Sequence, residues 1–425
     1  MKKNCFMVLL IFLINTFCFS LTSAAPLYGD LNSDGDVDSL DFGICRRYLL
    51  GTTNLNDIVP ADLNGDGEVD SLDFGYLRQY LLGHIKVFPI ESMATPTPTD
   101  VPVTPTPDPE AWKNNTGTIN LGNTITYTGE GIAVEGSIVK ITSGGDHEVF
   151  GTLSNGMIYI NTKERVKLRL SGVNITNSNG PAIYFDDVDK AFITLTKDTV
   201  NNLSDGSTYI YEDAKGTLFS NDNLEIKGKG TLNIISNYGH GIASDDNISI
   251  ENGNITIKAV KDGLHSNDET KVSGGNIFIE AGSNAIDAGE EIDISDGTII
   301  ALSQKAVFVS EIELIITGGT IISTGSYELK PSSNSTQPSL YMNLGSSNPA
   351  GTLFRIENNT VNVLTFAPSI SYNQLFFSSP MLKEGTTYNV NIGGISTGTN
   401  TNGIYYGGTY TPGNINLTTT ATLIP

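Results

Sequence analysis

Two twelve-residue stretches carry the densest metal chemistry in the chain. DLNSDGDVDSLD, Asp30 to Asp41, returns as DLNGDGEVDSLD, Asp62 to Asp73, displaced by 32 residues. Side-chain oxygens fall at positions 1, 3, 5, 9 and 12 of each loop. They belong to Asp30, Asn32, Asp34, Asp38 and Asp41 in the first copy, and to Asp62, Asn64, Asp66, Asp70 and Asp73 in the second. Position 7, Asp36 or Glu68, offers its backbone carbonyl, and Gly35 and Gly67 stand at position 6, where such a loop turns sharply. An all-oxygen set at this spacing is the pattern of a Ca²⁺ loop, with Asp in place of the usual Glu at position 12. A single copy could be a solvated acidic turn. Two copies with the same spacing and the same continuation argue against that.

A second set of acids recurs further along. Asp187, Asp222, Asp246, Asp268 and Glu290 occupy one aligned position of a repeat, with Asp186, Asn221, Asp245 and Asn267 beside them. His265 and Asp287 come one step back, and Asp262 opens its repeat where Gly239 opens the one before. Carboxylates stacked at a strand spacing of about 4.8 Å would repel by roughly 3 kcal/mol per pair at an effective dielectric near 20. Solvent, protonation or a bound cation must offset this, and oxygen-only ligands suit Ca²⁺ better than Zn²⁺. Three readings stay open: turn chemistry alone, Ca²⁺ that only stabilises, and Ca²⁺ that also touches a ligand.

The elements that position these acids follow from local pattern. Each twelve-residue loop runs into FGICRRYLLG or FGYLRQYLLG. Leu40, Ile44, Tyr48 and Leu49, and likewise Leu72, Tyr76, Tyr80 and Leu81, have helical spacing, and Gly51 and Gly83 end the helices. No helix pattern precedes either loop. This duplicated loop–helix unit resembles the type I dockerin of cellulosomes. The resemblance implies a small all-α module over residues 26–90 that holds Ca²⁺ and docks a cohesin module of a scaffold protein. It carries cohesin contacts onto Ser39, Leu40, Arg46 and Arg47 and onto Ser71, Leu72, Arg78 and Gln79. The pair at positions 10 and 11 is Ser-Leu where many dockerins have Ser-Thr. Some 55 residues with few large apolar groups make a marginal core, so metal binding and folding should be coupled.

Residues 1–25, MKKNCFMVLLIFLINTFCFSLTSAA, read as a secretory signal peptide cut near Ala24 or Ala25. Its removal takes Cys5 and Cys18 and leaves Cys45 alone, so no internal disulfide is expected. The expected location is extracellular, in the cellulosome. A net charge of −22 and a pI near 4.4 argue against nucleic acid and anionic membranes as partners. They also mean that an acidic polysaccharide would need bridging cations. Residues 91–111 are a Pro/Thr linker, extended and semi-rigid.

Over residues 112–326 a period emerges. Gly230, Gly253, Gly275, Gly297 and Gly319 are separated by 23, 22, 22 and 22 residues, each between two strand-like segments, with a third short apolar cluster closing the turn. Three short strands per period predict a mainly β fold, a parallel β-helix. Its inward columns would hold Ile183, Ile242, Leu264 and Ile286. Lys197 to Lys215 reads as an insertion, and residues 327–425 as a strand-rich cap over an open end. The repeat SDDxIxIxxGxIxIxAxxDGLHSND and the tail FFSSPxLxxGxTYxVxIGG resemble right-handed β-helix carbohydrate-binding proteins that look like polysaccharide lyases. That resemblance spans about Asn120 to Tyr410. It implies a Ca²⁺-binding β-helix for plant cell-wall polysaccharide, cellulose or acidic sugars such as polygalacturonate, and not lytic activity.

A pectate-type lyase is the enzymatic alternative. It would need a Lys or Arg base, and Lys258, Lys261, Lys271, Lys163, Arg165 and Arg169 are present, none in a motif that singles it out. No catalytic residue is therefore assigned. Nothing pairs two carboxylates as a glycosidase requires. Tyr159 and Tyr184 share a column better suited to packing than to a sugar platform, and the pair His240 and His265 does not by itself define a transition-metal site.

Overall fold

The computed structural model describes residues 27–55, 57–93, 110–326 and 329–424. The expected signal peptide and nearly all of the linker lie outside them. Two compact units result, divided within the linker, and each is taken by itself.

The N-terminal unit is built on two helices, α1 (Ser39–Leu49) and α2 (Ser71–Leu81). Asp38 and Asp70 cap them in reciprocal boxes with Asp41 and Asp73. The halves meet through equivalent residues, since the Phe42 and Phe74 rings stack at 4.3 Å. Cys45 and Leu77, again 32 residues apart, are buried beside Leu63 and Phe88. The expected apolar stripe is only partly met: Tyr76 and Tyr80 pack against this core, but Leu40, Leu72, Leu49 and Leu81 are exposed. Asp41 and Asp73 must turn inward to close their loops, and that requirement sets the helix rotation.

In the second unit the chain winds as a parallel β-helix of about eight turns with three strand faces. The first face stacks Ile138–Ile141, Met157–Asn161, Ile183–Asp187, Gly216–Ser220, His240–Ser244, Leu264–Ser266, Ile286–Ala288 and Phe308–Ser310. The other two faces join in one sheet, because Thr270–Ala281 and Glu291–Ser303 run around the corner between them. Inside, Ile183, Leu218, Ile242, Leu264, Ile286 and Phe308 form one buried column in register.

Glycine is required at that corner. Gly275, Gly297 and Gly319 have φ of 92°, 105° and 84°, and a Cβ on each would lie 2.9 Å from the carbonyl oxygen of the glycine one turn earlier. Gly297→Ala is expected to cost roughly 2–3 kcal/mol, a strained backbone plus a contact with rigid main chain, read as a lower thermal midpoint. In the earlier turn the positive φ moves to Gly228, and Gly230 is needed for close approach instead, since a Cβ there would run into the Thr196 carbonyl oxygen.

Two expectations need correction. Residues 197–215 are not wholly an insertion, because Val200–Ser204 is a regular third-face strand, parallel to Val166–Thr176 and Thr231–Ser236. Its pattern was hidden by Asn201, which is buried where an apolar residue normally sits and whose amide bonds Gly172 N–H, Val173 N–H and the Thr231 carbonyl. The tail, too, does more than close an end. Tyr372–Ser378 pairs antiparallel with Thr320–Gly325, and Ser339–Asn348, antiparallel beyond it, ends the sheet. A separate six-stranded antiparallel sheet packs Phe354, Phe366 and Tyr388 into one core with Ile300, Leu302 and Ile322, outward residues of the third face. The runs TIIALS and TIISTG are apolar on consecutive residues because both sides of those strands are covered.

Candidate functional site

In the first loop Asp41 is fully buried, and its carboxylate accepts from Leu31 N–H (2.8 Å), Asn32 N–H (3.2 Å) and Asp38 N–H (2.9 Å). Asp73 repeats this with Leu63, Asn64 and Asp70. Asp30 accepts from Asp34 and Gly35 N–H, and Asp62 from Gly65 and Gly67 N–H. Asn32, Asp34 and Asp36 remain exposed, as do Asp66 and Glu68, while Asn64 is half-buried. Hydrogen bonds thus fold each loop around its first and last aspartates, Asp30 with Asp41 and Asp62 with Asp73, and the donor set, all oxygen, fits Ca²⁺. The residues carried over as cohesin contacts, Ser39, Leu40, Arg46, Arg47, Ser71, Leu72, Arg78 and Gln79, are all exposed.

Cys45 reports on this packing. It is 1% exposed, and burial first, then the Asp73 charge, push its thiol up to about 11. At pH 8 only about one molecule in a thousand would hold the thiolate. Alkylation by iodoacetamide is expected to be slow with Ca²⁺ and to approach the rate of a free thiol after EDTA, as followed by mass spectrometry.

On the β-helix, strand register places Asp187, Asp222, Asp246, Asp268 and Glu290 in one file at the end of the first face. Ser220 and Ser244 hold the turns, their hydroxyls accepting from Asp222 N–H and Asp246 N–H. Asp222 accepts from Val188 N–H at 3.1 Å, and Lys163 pairs with Asp187 at 2.6 Å. Burial, then the charges of Asp222, Asp268 and Asp245, raise the Asp246 carboxyl above the usual carboxylate range. Asp245 itself is engaged by Lys215.

A second file went unnoticed in the sequence. Glu269, Glu291 and Glu313 follow the first file by one residue, in register with one another, and Glu269, Glu291 and Asp293 bring carboxylate oxygens within 4.8 Å. Their 22-residue spacing was the available signal. Burial, then Glu269, Glu313 and Asp293, raise the Glu291 carboxyl. Asp262 and Asp287 do not join either file. They lie at the opposite end and the middle of the first-face strands, beside His240 and His265.

Aromatic residues are mostly spent on packing. Tyr159 and Tyr184 donate to Asp186 and lie against Tyr211, and Tyr209 donates to Asp205 while stacking on Tyr238 at 4.1 Å. The inserted loop thereby covers this part of the first face. Trp112 stacks on Phe192.

A helical module of two acidic loops and a parallel β-helix edged with carboxylates make a two-part, dockerin-bearing architecture. Residues 28–82 match the type I dockerin domain. Residues 135–390, more than half of the chain, match the family described as carbohydrate-binding domain-containing protein, and the chain belongs to that family. A carbohydrate-binding domain-containing protein of Acetivibrio thermocellus is 34% identical over 137 residues, 31% of this chain and 48% of the relative. The chain thus spans about half the length of that relative. A solved polysaccharide lyase-like protein from C. thermocellum, a gadolinium derivative, is 30% identical with a TM-score of 0.49, covering 50% of this chain and 92% of that one. Among the described residues no helix is long and apolar enough to cross a membrane.

Proposed function

We propose that this chain is a secreted, non-catalytic cellulosomal component. Its dockerin folds around two Ca²⁺ ions and docks cohesin through the exposed residues of α1 and α2. Its β-helix holds acidic plant polysaccharide, polygalacturonate in kind, through Ca²⁺ bridging the sugar carboxylates to the acidic files. The observation that carries this reading is the in-register run Asp222, Asp246, Asp268, in which burial first and then the neighbouring charges raise the Asp246 carboxyl, a repulsion that a divalent cation would relieve.

The cations beside the files are poor bases. Lys163 is held protonated by its hydrogen bond to Asp187, and Lys271 by its hydrogen bond to Glu269, both with raised pKa. A lyase base needs the opposite shift. A neutral glucan has a separate place to bind, a groove of about 270 Å³ between Asn254, Asn276 and Phe278 of the third face and the strand Ile404–Tyr406. One pair of assays tests the whole reading. Polygalacturonate retention is expected to require Ca²⁺, and cellulose retention is not. Ultraviolet absorbance over polygalacturonate with Ca²⁺ is expected to stay flat. A steady rise, from unsaturated products, would establish the lyase instead.

A further inference from the structure

We propose that His240, Asp262 and His265 form a site for one divalent transition cation of the Zn²⁺ class, joining two successive turns of the β-helix. Register sets His240 level with Asp262 one turn on, and His265 follows on the next strand of the same face. The two imidazoles stack with centroids 4.2 Å apart and planes 15° from parallel. Asp262 Oδ2 lies 3.0 Å from His240 Nδ1 and 3.8 Å from His265 Nδ1. All three donor atoms fall within 4.8 Å of one another.

Three features separate this cluster from an ordinary ion pair. Both Nδ1 atoms are buried and neither makes a hydrogen bond, so even at 3.0 Å the approach to Asp262 is too bent for N–H···O. Leaving two buried ring nitrogens unpaired is costly. Because the stacked rings hold their lone pairs in nearly parallel planes, a shared ion requires one imidazole, the less buried His265, to rotate about its side-chain torsions toward Asp262. The carboxylate is also pre-oriented: Oδ1 accepts from Asn284 N–H at 2.7 Å, which leaves Oδ2 for the imidazoles. Finally, the spacing fits. A tetrahedral ion about 2.0–2.1 Å from each ligand sets the ligands roughly 3.3 Å apart, between the two observed distances.

The donor set also separates this site from the acidic files. Two imidazoles and one carboxylate select Zn²⁺, Co²⁺, Ni²⁺ or Cu²⁺ over Ca²⁺, whereas Glu269, Glu291 and Asp293 present oxygen alone. Asp287, in register with His265 and held by Asn284 Nδ2 at 2.9 Å, stands nearby, so the fourth position falls to it or to water. The β-helix would then bind two kinds of cation at opposite ends of the same strands. The inference does not depend on which polysaccharide is held.

Cobalt titration of the full chain, stripped with EDTA and then saturated with Ca²⁺, tests this. One Co²⁺ per chain is expected to bind with the visible absorption of a tetrahedral nitrogen–oxygen site and to be displaced by one equivalent of Zn²⁺. His240→Gln and His265→Gln should each weaken binding by roughly tenfold or more. His84→Gln should leave it unchanged. The proposal is overturned if Ca²⁺-saturated protein binds no Co²⁺, or if both histidine variants, shown folded by near-ultraviolet circular dichroism, bind it as tightly as the parent. Should His240→Gln fail to fold, the more exposed His265→Gln decides alone.

Discussion

Replacing Asp41 and Asp73 together by alanine is expected to abolish cohesin binding and to unfold the N-terminal unit even in saturating Ca²⁺. Each carboxylate is fully buried and accepts from three backbone N–H groups, at positions 2, 3 and 9 of its own loop. Each also completes the capping box that starts the following helix. Truncation therefore strands three donors per loop, at about 1–3 kcal/mol each where they stay buried, and removes one metal ligand. A module of this size has only a few kcal/mol to lose. The halves share a core through Phe42, Phe74, Cys45 and Leu77, so one failed loop should weaken the other. Calorimetry against a cohesin module and alkylation of Cys45 give independent readouts. Leu40→Ala with Leu72→Ala should separate them: both side chains are exposed, so cohesin affinity falls while Cys45 stays protected. Retained cohesin binding and a protected Cys45 in the double aspartate variant would refute the coupling of loop chemistry to fold.

The duplicated loops could be read from the sequence because ion coordination fixes residue type at fixed positions, and the structure starts a capped helix directly after each of them. Helix phase was less legible. Leu40 and Asp41 are neighbours, and periodicity alone cannot say which turns inward. It took the hydrogen bonds of Asp41 to settle it. In the β-helix the 22-residue glycine period was visible because Gly275, Gly297 and Gly319 meet main chain of the previous turn. Asn201 shows the converse: a polar residue that fills an inward position and satisfies its own amide removes the alternation on which strand detection depends. The file Asp187 to Glu290 was legible as a column, whereas Glu269, Glu291 and Glu313 were passed over although they keep the same spacing. The pair His240 and His265 was visible in the sequence, but its convergence on Asp262 was not. His240 and His265 are not level in register, and only the turn of the chain between them brings their rings together.

Substituting Asp222, Asp246 and Asp268 together by asparagine is expected to make the Ca²⁺-free β-helix more stable and to abolish Ca²⁺-dependent retention on polygalacturonate. Asparagine can keep the turn geometry, since its side-chain oxygen can still accept from Val188 N–H as Asp222 does. What it removes is charge. Burial and then the neighbouring carboxylates hold the Asp246 carboxyl above its ordinary value. A carboxyl whose folded pKa exceeds its unfolded one costs stability when ionised, and that cost fades as pH falls through the raised value. In EDTA the wild-type melting temperature should therefore rise on acidification from neutrality towards that value, while the triple variant changes less over the same interval. With Ca²⁺ the order reverses, because the ion stabilises only the chain that can bind it. Since the file is part-exposed, solvent screening brings the per-pair repulsion well below the roughly 3 kcal/mol expected at 4.8 Å, so a gain of about 1–2 kcal/mol in EDTA is the expected scale. Melting with and without Ca²⁺, and retention on immobilised polygalacturonate, read the two halves of the prediction separately. A triple variant that still binds polygalacturonate in a Ca²⁺-dependent way would place the ligand away from this file, with Glu269, Glu291 and Asp293 the next oxygen cluster to remove.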